Sequence, residues 1–471
     1  MGITSKIQTK TIMLKKKIMM MGIAAILPVV LMAQNPFVQT RYTADPAPMV
    51  KGDTLYVYAD VDEPGADFFW MYQWRVYSTT DMVNWTDHGE VLGLNSFSWA
   101  DDRAWATQCV ERNGKYYWYV CAHSKLSGGM AIGVAVADSP TGPFRDALGK
   151  PLYDDGKWDN IDPTALVDGD NAYLVWGNPE IHQAKLNPDM VSFDGPVTRV
   201  EQDEKSFGAP SPAKREKGVK YKDIYTEGPW LSKRGKNYYM LYAGGGVPEH
   251  IAYSMSKKPQ GPWTYKGVIM PQLDSTRSFT NHCGLAAFKG HDYFFYHTGN
   301  LPGGGGFARS MAVEEFTYNA DGTIPTIMPS AEGVQPVGTF NPYQRVEAET
   351  MAFSHGLTTE QNHRTGVYLS DVHHGDWMKL ANVDFGLSGP RHITVSVASA
   401  TQGGWIELHA DSIGSKPFAE IQVPATGGWE EWQTIRADIP VPPTGIHNLF
   451  FSFKGQKGRK LLTFDWWKME E

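Results

Sequence analysis

The feature that most constrains this 471-residue chain is a fivefold repeat, in which a glycine-containing turn leads directly into an aromatic-rich apolar run. The repeats are marked by Gly52, Gly114, Gly169, Gly235 and Gly290, and successive glycines are 62, 55, 66 and 55 residues apart. A glycine turn between two β-rich runs is typical of a hairpin. Hairpins that recur every ~40–60 residues are typical of a β-propeller. Five repeats therefore predict five blades.

Charged residues lie at a nearly constant distance before four of these glycines. Asp45 and Asp162 each lie 7 residues before their glycine, and Glu227 lies 8 residues before its own. In the fifth repeat, His282 lies 8 residues before the glycine. Equivalent positions of a radial fold point to the same place, so we expect three carboxylates and a histidine to converge at one end of the channel. Because like charges repel, stability alone would not select such a cluster.

Composition narrows the function further. With 42% hydrophobic and 20% charged residues, the chain has enough length and apolar content for two or more domains. The net charge of −8 and the lack of a basic stripe argue against nucleic acid as a partner. The 13% of aromatic residues suits both β-rich cores and sugar-binding surfaces. Three cysteines are too few and odd in number for a disulfide framework, so we expect them to be buried as small apolar residues.

The N-terminus has the pattern of a secretory signal peptide. Lys15–Lys17 precede an apolar run from Ile18 to Leu31, and Ala33 follows as the small residue at which cleavage is expected. The alternative, a membrane anchor, is disfavoured because about 14 apolar residues are too few to span ~30 Å of hydrocarbon. We therefore predict export to the periplasm or the medium after removal of residues 1–33, and no stable membrane span.

The rest of the chain divides into two β-rich parts. Residues 34–327 hold the five repeats, and residues 328–342 read as a linker because they are rich in Pro, Gly, Ser and Glu without periodicity. Residues 343–471 are again β-patterned and have the length of a two-sheet sandwich or jelly roll. The predicted fold class is all-β, a five-bladed β-propeller followed by a β-sandwich.

Each of the three repeated acids stands just before a proline. Asp45 precedes Pro46, Asp162 precedes Pro163, and Glu227 precedes a Gly-Pro pair. Proline fixes the backbone where a strand begins, which suits a rigidly aimed side chain. One such acid alone would be read as a turn residue, since Asp-Pro is a common turn dipeptide. Three at matching repeat positions favour a functional reading.

With these motifs, the stretch from Asn35 to about Gly338 resembles glycoside hydrolase family 43, whose members are five-bladed propellers. The resemblance implies that Asp45 is the general base, that Glu227 is the general acid, and that Asp162 modulates the pKa of the acid and orients it. Glycoside hydrolysis requires one carboxylic acid for the leaving oxygen and one carboxylate to activate water. The family resemblance also implies inversion at the anomeric carbon.

The same resemblance suggests further site residues. Trp105 matches a tryptophan that forms a wall beside the bound sugar, and Arg309 matches an arginine that reaches the active centre. The alternative for Arg309 is a solvated charge at the rim. His282 matches a channel histidine that supports a calcium ion or a water cluster, and its alternative is a hydrogen-bonded core histidine. No organic cofactor is expected.

The C-terminal part resembles carbohydrate-binding module family 6. Glu347, Glu349 and Asp465 match the structural Ca²⁺ ligands of that family, and Tyr368 and Trp429 fall where it stacks a sugar. The alternative is that the module serves mainly as a packing partner for the propeller.

Together these features predict an exported, exo-acting enzyme whose partner is a plant cell-wall polysaccharide or oligosaccharide. The expected reaction removes α-L-arabinofuranosyl or β-xylosyl units from arabinoxylan. Two alternatives stay open: an arabinan- or galactan-acting relative, and a non-catalytic glycan-binding protein with two lectin-like domains. The sequence leaves the oligomeric state undecided.

Overall fold

The five repeated glycines all form hairpin turns in the computed structural model, which describes residues 34–209 and 224–471. Their φ angles lie between 58° and 88°, a region that glycine enters without a steric penalty. Each turn joins the inner strand of a blade to the next strand outward. The predicted signal peptide lies outside the described residues.

Five antiparallel sheets, one for each repeat, are the blades. Blade I contains β1 (Thr43–Lys51), β2 (Thr54–Val61), β3 (Gln73–Thr79) and β4 (Trp85–Gly93). Blade II contains β5 (Ala100–Asp102), β6 (Thr107–Arg112), β7 (Lys115–Ser124), β8 (Met130–Ala137) and β9 (Arg145–Asp146). Blade III contains β10 (Thr164–Asp168), β11 (Asn171–Trp176), β12 (His182–Leu186) and β13 (Thr198–Arg199). Blade IV contains β14 (Tyr225–Arg234), β15 (Asn237–Gly244), β16 (His250–Ser256) and β17 (Thr264–Met270). Blade V contains β18 (Cys283–Phe288), β19 (His291–Thr298) and β20 (Ser310–Phe316).

Helix is scarce in the described ranges. It comprises α1 (Glu204–Phe207) and the single 3-10 turns Leu94–Ser96 and Asp274–Thr276. Within residues 34–209 and 224–471, no helix has the length and apolar character that crossing a membrane would require.

The inner strands of the blades form a closed ring. β1 contacts β6, β6 contacts β10, β10 contacts β14, β14 contacts β18, and β18 contacts β1. The chain start reinforces the closure along the edge of blade V. The Phe37 N–H donates to the carbonyl of Met311, and the Asn35 side chain bonds both main-chain groups of Val313.

Aromatic side chains fill the space between neighbouring blades. Tyr58 of blade I contacts Trp118 of blade II at 4.7 Å between ring centroids. Phe144, in the outer turn of blade II, lies 4.9 Å from Trp118 and 6.5 Å from Tyr58. Each such pair contributes about 0.5–1.5 kcal/mol beyond its burial of apolar area. The aromatic-rich runs of the repeat are therefore largely consumed by the core.

The three cysteines are free and buried, as predicted. Cys109 lies opposite Trp118 in the β6–β7 register and cannot face Cys121 across that turn.

The C-terminal part is a two-sheet β-sandwich. One sheet has the order β24-β25-β32-β27-β30, with β21 paired to β32, and the other has the order β23-β26-β31-β28-β29. Rings from both sheets meet in the core, where Phe451 lies 5.2 Å from Trp467. The strands are β21 (Val346–Glu347), β22 (Thr350–Met351), β23 (Phe353–His355), β24 (Thr358–Asn362), β25 (Gly366–Val372), β26 (Trp377–Asp384), β27 (His392–Ser399), β28 (Gly404–Ala410), β29 (Ala419–Val423), β30 (Gly428–Asp438), β31 (Ile446–Lys454) and β32 (Leu462–Glu470).

The sandwich is joined to blade I along a continuous seam. β22 pairs with β4 and so adds a fifth strand to that blade. Beside it, the Asn84 amide donates to the Ala381 carbonyl at 2.9 Å and accepts from the Ala381 N–H at 2.8 Å. The segment 328–342 contains no strand, but its main chain is fixed by hydrogen bonds to Asp81 and Asn382. The two β-rich parts are therefore held together by ordered contacts.

Candidate active site

The inner strands bring the four repeated residues to one end of the axis. Asp45 lies in β1 and Glu227 in β14, whereas Asp162 and His282 lie just before β10 and β18. Around the imidazole of His282, Nδ1 lies 3.7 Å from Asp45 Oδ1, and Nε2 lies 3.6 Å from Asp162 Oδ2 and 3.8 Å from Glu227 Oε1. The structure thus gathers the three acids around a single ring.

A shared backbone conformation aims the acids. Asp45 and Asp162, each followed by proline, have φ of 50° and 60°, and Gly228 has φ of 61°. This left-handed region is costly for most residues, but aspartate tolerates it better than most others. At Gly228 a Cβ atom would lie 2.8 Å from the His282 ring, so glycine is required there for space as well as for its φ. The Asp-Pro and Gly-Pro motifs are thus fixed bends that turn the side chains toward the axis.

Asp45 is the acid most strongly surrounded by positive charge and donors. Its Oδ1 accepts from Arg309 Nη1 at 3.1 Å and lies 3.0 Å from His297 Nδ1. Burial would raise the pKa of Asp45, but Arg309, His282 and His297 outweigh it and hold that pKa well below its usual value. Asp45 is therefore ionised throughout the physiological range, as a general base must be.

The Arg309 guanidinium donates hydrogen bonds to two carboxylates. Its Nε and Nη2 hold both oxygens of Asp62 at 2.9 and 3.0 Å, and its Nη1 reaches Asp45. The side chain is buried, so the alternative of a solvated rim charge is wrong. Arg309 reaches the active centre as predicted, but its geometry is that of a residue that holds the Asp45 carboxylate.

Asp162 and Glu227 both line the pocket, and each accepts a hydrogen bond from a neighbouring donor. Asp162 Oδ2 accepts from the Gly228 N–H at 3.0 Å, and Glu227 Oε2 accepts from the Asn178 amide at 2.7 Å. Burial raises the pKa of Asp162 to about 7, and repulsion from Glu227 and Asp45 adds to the rise although His282 opposes it. Asp162 therefore still holds a proton near neutral pH.

His282 is the counter-charge of this cluster. Burial lowers its pKa, but the charges of Asp45, Asp162 and Glu227 outweigh burial and raise the pKa well above the usual value. In its protonated form the ring offsets the repulsion among the acids. The interpretation of His282 as a metal-supporting residue stays a prediction.

The acids face a pocket of about 140 Å³. A cavity of about 150 Å³ holds a molecule the size of benzene, so this one suits a single small ring. Four aromatic side chains line it, and Trp105 is among them, as predicted. The Trp105 indole N–H donates to the Phe69 carbonyl at 2.8 Å. The lining side chains are Asp45, Phe68, Phe69, Met71, Trp105, Trp158, Ile161, Asp162, Glu227, Thr280, His282 and Arg309.

Several functional residues were missed from sequence. Asp60 and Asp62 stand two apart in β2 and just beyond it, where alternation puts them on one face, and both are buried. These two acids interrupt an otherwise apolar run, and that pattern could have indicated a functional role from the sequence alone. His297, at the end of β19, and Asn178, in the turn after β11, carry no such mark.

The predicted Ca²⁺ ligands of the sandwich supply carboxylate oxygens that lack donors. Glu349 Oε2 and Asp465 Oδ1 are buried and accept no hydrogen bond from any residue in 34–209 or 224–471. Burial raises the pKa of Glu349 well above its usual value, and it raises the pKa of Asp465 to about 6. Glu347 differs, since Arg345 holds both of its oxygens at 2.8 and 2.9 Å. Buried carboxylates of this kind fit a hard cation such as Ca²⁺.

A second group of possible metal ligands lies in blade III and the loop before it. The ligand atoms of Asp159, Glu180 and His182 come within 4.8 Å of one another. Ion pairs already occupy these possible ligand atoms, because His182 Nε2 lies 3.2 Å from Asp159 Oδ2 and Arg199 Nη1 lies 2.7 Å from Glu180 Oε2.

The predicted sugar-stacking pair of the sandwich is not arranged as expected. Tyr368 is only 3% exposed, and its ring packs edge-on against Trp432 at 5.3 Å. Its hydroxyl lies 3.2 Å from Glu430 and 3.3 Å from Glu360. A buried ring cannot offer its face to a sugar, so the stacking role of Tyr368 is not supported. Trp429 is partly exposed, with Lys460 Nζ lying 4.5 Å from the centre of its ring.

Comparisons with known proteins agree with the geometry. The family model "Glycosyl hydrolases family 43" matches residues 33–324, and "Carbohydrate binding module (family 6)" matches residues 347–471. An arabinoxylan arabinofuranohydrolase of Bacillus subtilis (strain 168) is 31% identical over 93% of this chain and 92% of its own length. A xylosidase/arabinosidase of Bacteroides ovatus is 32% identical over 61% of this chain and 95% of its own length.

Solved structures show the same similarity. The crystal structure of a family 43 arabinoxylan arabinofuranohydrolase from Bacillus subtilis, in complex with cellotetraose, superposes with a TM-score of 0.78. It is 29% identical in sequence, and the match covers 93% of this chain and 98% of the other. A β-xylosidase/α-arabinofuranosidase from a compost microbial metagenome, in complex with xylotriose, has a TM-score of 0.55 and 31% identity. That match covers 62% of this chain and 96% of the other.

Proposed function

Because the chain belongs to glycoside hydrolase family 43 and ends in a family 6 carbohydrate-binding module, we propose that this glycoside hydrolase removes α-L-arabinofuranosyl branches from arabinoxylan with inversion. The observation that carries the proposal is the set of three carboxyl groups around His282 at the base of a pocket sized for one sugar ring. A pocket of this size favours removal of single terminal units over cleavage within a chain.

In the proposed reaction, Asp45 acts as the base. Its carboxylate, held ionised by Arg309, takes a proton from a water molecule that attacks the anomeric carbon. Glu227 gives its proton to the departing xylan oxygen, so that the leaving group departs as a neutral hydroxyl. Asp45 and Glu227 approach opposite nitrogens of the His282 ring. Carboxyl groups kept apart in this way support inversion, which needs ~6.5–9.5 Å between them to admit a water.

Asp162 and Asn178 position the acid in this scheme. Asn178 donates to Glu227 Oε2 and leaves Oε1 on the side of the His282 ring. The charge of Glu227 adds to the burial that raises the pKa of Asp162 to about 7, so Asp162 keeps a proton near neutral pH beside the acid.

β-Xylosidase activity is the second candidate. A terminal β-xylosyl unit also has one five-carbon ring and would fit the same volume. The relative from Bacteroides ovatus carries both activities in its name, but it covers only 61% of this chain. The arabinoxylan arabinofuranohydrolase of Bacillus subtilis covers 93%, including the sandwich, which supports the arabinofuranosyl reading.

Export and a structural Ca²⁺ belong to the same proposal. The signal-peptide pattern of residues 1–33 supports export, as expected for an enzyme whose substrate lies outside the cell. In the sandwich, Glu349 and Asp465 would hold the ion between β32 and the segment after β21, with Glu347 released from Arg345 to join them. A bound ion would neutralise carboxylates that otherwise lack donors. The seam with blade I supports a packing role for the module beside any binding of glycan.

A substrate panel tests the function. Wheat arabinoxylan, debranched arabinan, galactan and xylo-oligosaccharides are incubated with the enzyme, and the released monosaccharides are separated by chromatography. We expect arabinose from arabinoxylan and little release from the other polymers. Xylose as the main product would favour the β-xylosidase candidate, and arabinose from arabinan alone would favour the arabinan-acting one. The double variant Asp45→Asn/Glu227→Gln is the inactive control.

A further inference from the structure

Asp60 is a buried acid that the proposed reaction does not use. It lies in β2, is 0% exposed, and neither of its carboxyl oxygens has a hydrogen-bond donor among the described residues. A buried carboxyl group without a donor is costly, whether it is ionised or neutral. A buried carboxyl group of this kind is therefore expected to have a specific hydrogen-bond partner.

The strand register identifies this partner. Asp60 stands directly opposite Ala44 in the β1–β2 pair, and the register shifts immediately beyond, at the bend that contains Asp45. Both side chains are buried at this bend. After burial, the charge of Asp45 makes the largest contribution to the raised pKa of Asp60, as a neighbouring carboxylate does, so the two carboxyl groups lie close together. Arg309 and Asp62 are the other charged groups that act on the pKa of Asp60.

Among the described residues Arg309 donates no hydrogen bond to Asp60, although its charge opposes the rise in the pKa of Asp60. Its Nε and Nη2 bond Asp62, its Nη1 bonds Asp45, and Nη2 also faces the Met71 sulfur at 4.0 Å. An ionised Asp60 would therefore be a third buried anion without a donor of its own. Burial raises the pKa of Asp60 well above its usual value, and the negative charge of Asp45 adds to the rise. A neutral carboxyl group, in contrast, carries one O–H that needs an acceptor, and ionised Asp45 is that acceptor.

We propose that Asp60 is a positioning residue for Asp45, that it stays protonated, and that its O–H donates to the Asp45 carboxylate and fixes its orientation. This inference rests on the proposed role of Asp45 as the base. Asp45 then receives hydrogen bonds from an arginine and from a neutral acid, and its rotation about χ2 is blocked. A carboxylate locked in this way keeps a free oxygen aimed at the attacking water.

Kinetics of two variants test the proposal. In Asp60→Asn the amide replaces the O–H as donor, so we expect kcat within about threefold of wild type and an unmoved acidic limb of the pH profile of kcat/KM. In Asp60→Ala the donor is lost. We then expect kcat to fall by about 10- to 100-fold, the worth of one hydrogen bond to a charged group. The acidic limb should move to higher pH, because the ionised form of Asp45 has lost a donor.

The direction of the shift decides between the two charge states of Asp60. If Asp60 were ionised in the wild type, removing its charge would relieve repulsion, and the acidic limb would move to lower pH in both variants. That result would overturn the proposal, as would equal losses of kcat in Asp60→Asn and Asp60→Ala. Thermal unfolding of both variants is measured alongside, since a purely structural role would lower stability without moving the pH profile.

An infrared measurement tests the proton without relying on activity. Isotope-labelled aspartate is introduced into wild type and Asp60→Asn, both in an Asp162→Asn background that removes the other buried aspartate with a raised pKa near the pocket. At pH 7 the parent should show the carbonyl band of a buried, protonated carboxyl group, and Asp60→Asn should lose it. The band should survive in Asp62→Asn, the matched variant two residues along the same strand face. Loss of the band in Asp62→Asn but not in Asp60→Asn would overturn the proposal. If Asp45→Asn stays active, the proposed function fails, whatever the infrared result.

Discussion

At the scale of single residues, the site shows how three acids are kept within one small volume. Each has its own compensation: Arg309 and His297 for Asp45, the Gly228 N–H for Asp162, and the Asn178 amide for Glu227. His282 lies within 4 Å of all three and carries the shared positive charge. Asp45 and Asp162 look alike in sequence, but their neighbours lower the pKa of the first and raise the pKa of the second.

Replacing Glu227 by Gln should remove the proton donor and leave the fold intact. We expect turnover of arabinoxylan to fall by about 10²–10⁴-fold, the usual contribution of a general acid. An aryl arabinofuranoside with a dinitrophenolate leaving group should lose much less, because that group departs without protonation. Steady-state kinetics on both substrates make the test, with Glu332→Gln, at an exposed position, as the matched control. Equal losses on both substrates would show that Glu227 is not the acid.

The raised pKa of Asp162 predicts a cost in stability that depends on pH. An aspartate in the unfolded chain has a pKa of about 3.9, whereas Asp162 in the folded enzyme has a pKa of about 7. Between these values the folded state binds more protons than the unfolded state, so the free energy of unfolding falls as pH rises. Asp162→Asn lacks this titrating group. Its free energy of unfolding relative to wild type should therefore be higher at pH 7.5 than at pH 4, by up to about 4 kcal/mol.

Urea unfolding of wild type and Asp162→Asn at both pH values measures this difference. Asp189→Asn, in an exposed turn of blade III, is the control for adding an amide. A stability difference that is the same at pH 4 and pH 7.5 would show that Asp162 is ionised like a surface acid.

At the scale of secondary-structure elements, the sequence predicted the hairpins and the inner-strand acids well, for a physical reason. Positive-φ glycines and prolines act locally, so their spacing reports the turns directly. Pairings between distant segments leave no such mark. β22 joins blade I although about 260 residues separate it from β4, and its two residues have no pattern of their own. In the same way, the contacts of Asp60 and Asp62 form only in the folded chain, where Asp60 lies opposite Ala44 of β1 and Asp62 binds Arg309 just before β20.

Asn84 tests the seam between blade I and the sandwich. Its side chain bonds both main-chain groups of Ala381 and also the Asp81 carboxylate, and it is buried. Asn84→Ala leaves these groups without partners and should lower the free energy of unfolding by about 1–3 kcal/mol. Activity on a small aryl glycoside should be unchanged, because Asn84 does not line the pocket. The exposed Asn95→Ala variant is the control, and a loss no greater than in that control would show that the seam contributes little.

At the scale of the whole molecule, the propeller that contains the pocket and the β-sandwich are joined through a shared β-sheet. The pocket has room for about one sugar ring, which in the proposed reaction is the terminal unit of a branch. The sandwich is fixed to blade I, far along the sequence from the acids but tied to the same blade that carries Asp45. The sequence could predict both parts, but only the assembled structure shows the strand that joins them.

Calcium removal tests the sandwich site. After chelation, verified by elemental analysis, we expect the full-length enzyme to unfold at a lower temperature, because an ion at 100 times its Kd adds about 2.7 kcal/mol to the folded state. Readding Ca²⁺ should restore stability in the wild type but not in Glu349→Gln, whose orphan oxygen is one of the proposed ligands. The exposed Glu420→Gln is the matched control. An unshifted transition in metal-free enzyme would exclude a structural ion.

The central claim is that a base and a separate acid at the propeller axis release single arabinofuranosyl units with inversion. Proton NMR of the enzyme acting on arabinoxylan measures this most directly, because the anomeric signals of newly released sugar appear before mutarotation mixes them. The account predicts that β-L-arabinofuranose appears first from the α-linked branches, and that this signal is absent with Glu227→Gln. Initial release of α-L-arabinofuranose would contradict it, since retention requires one carboxylate to attack the sugar itself.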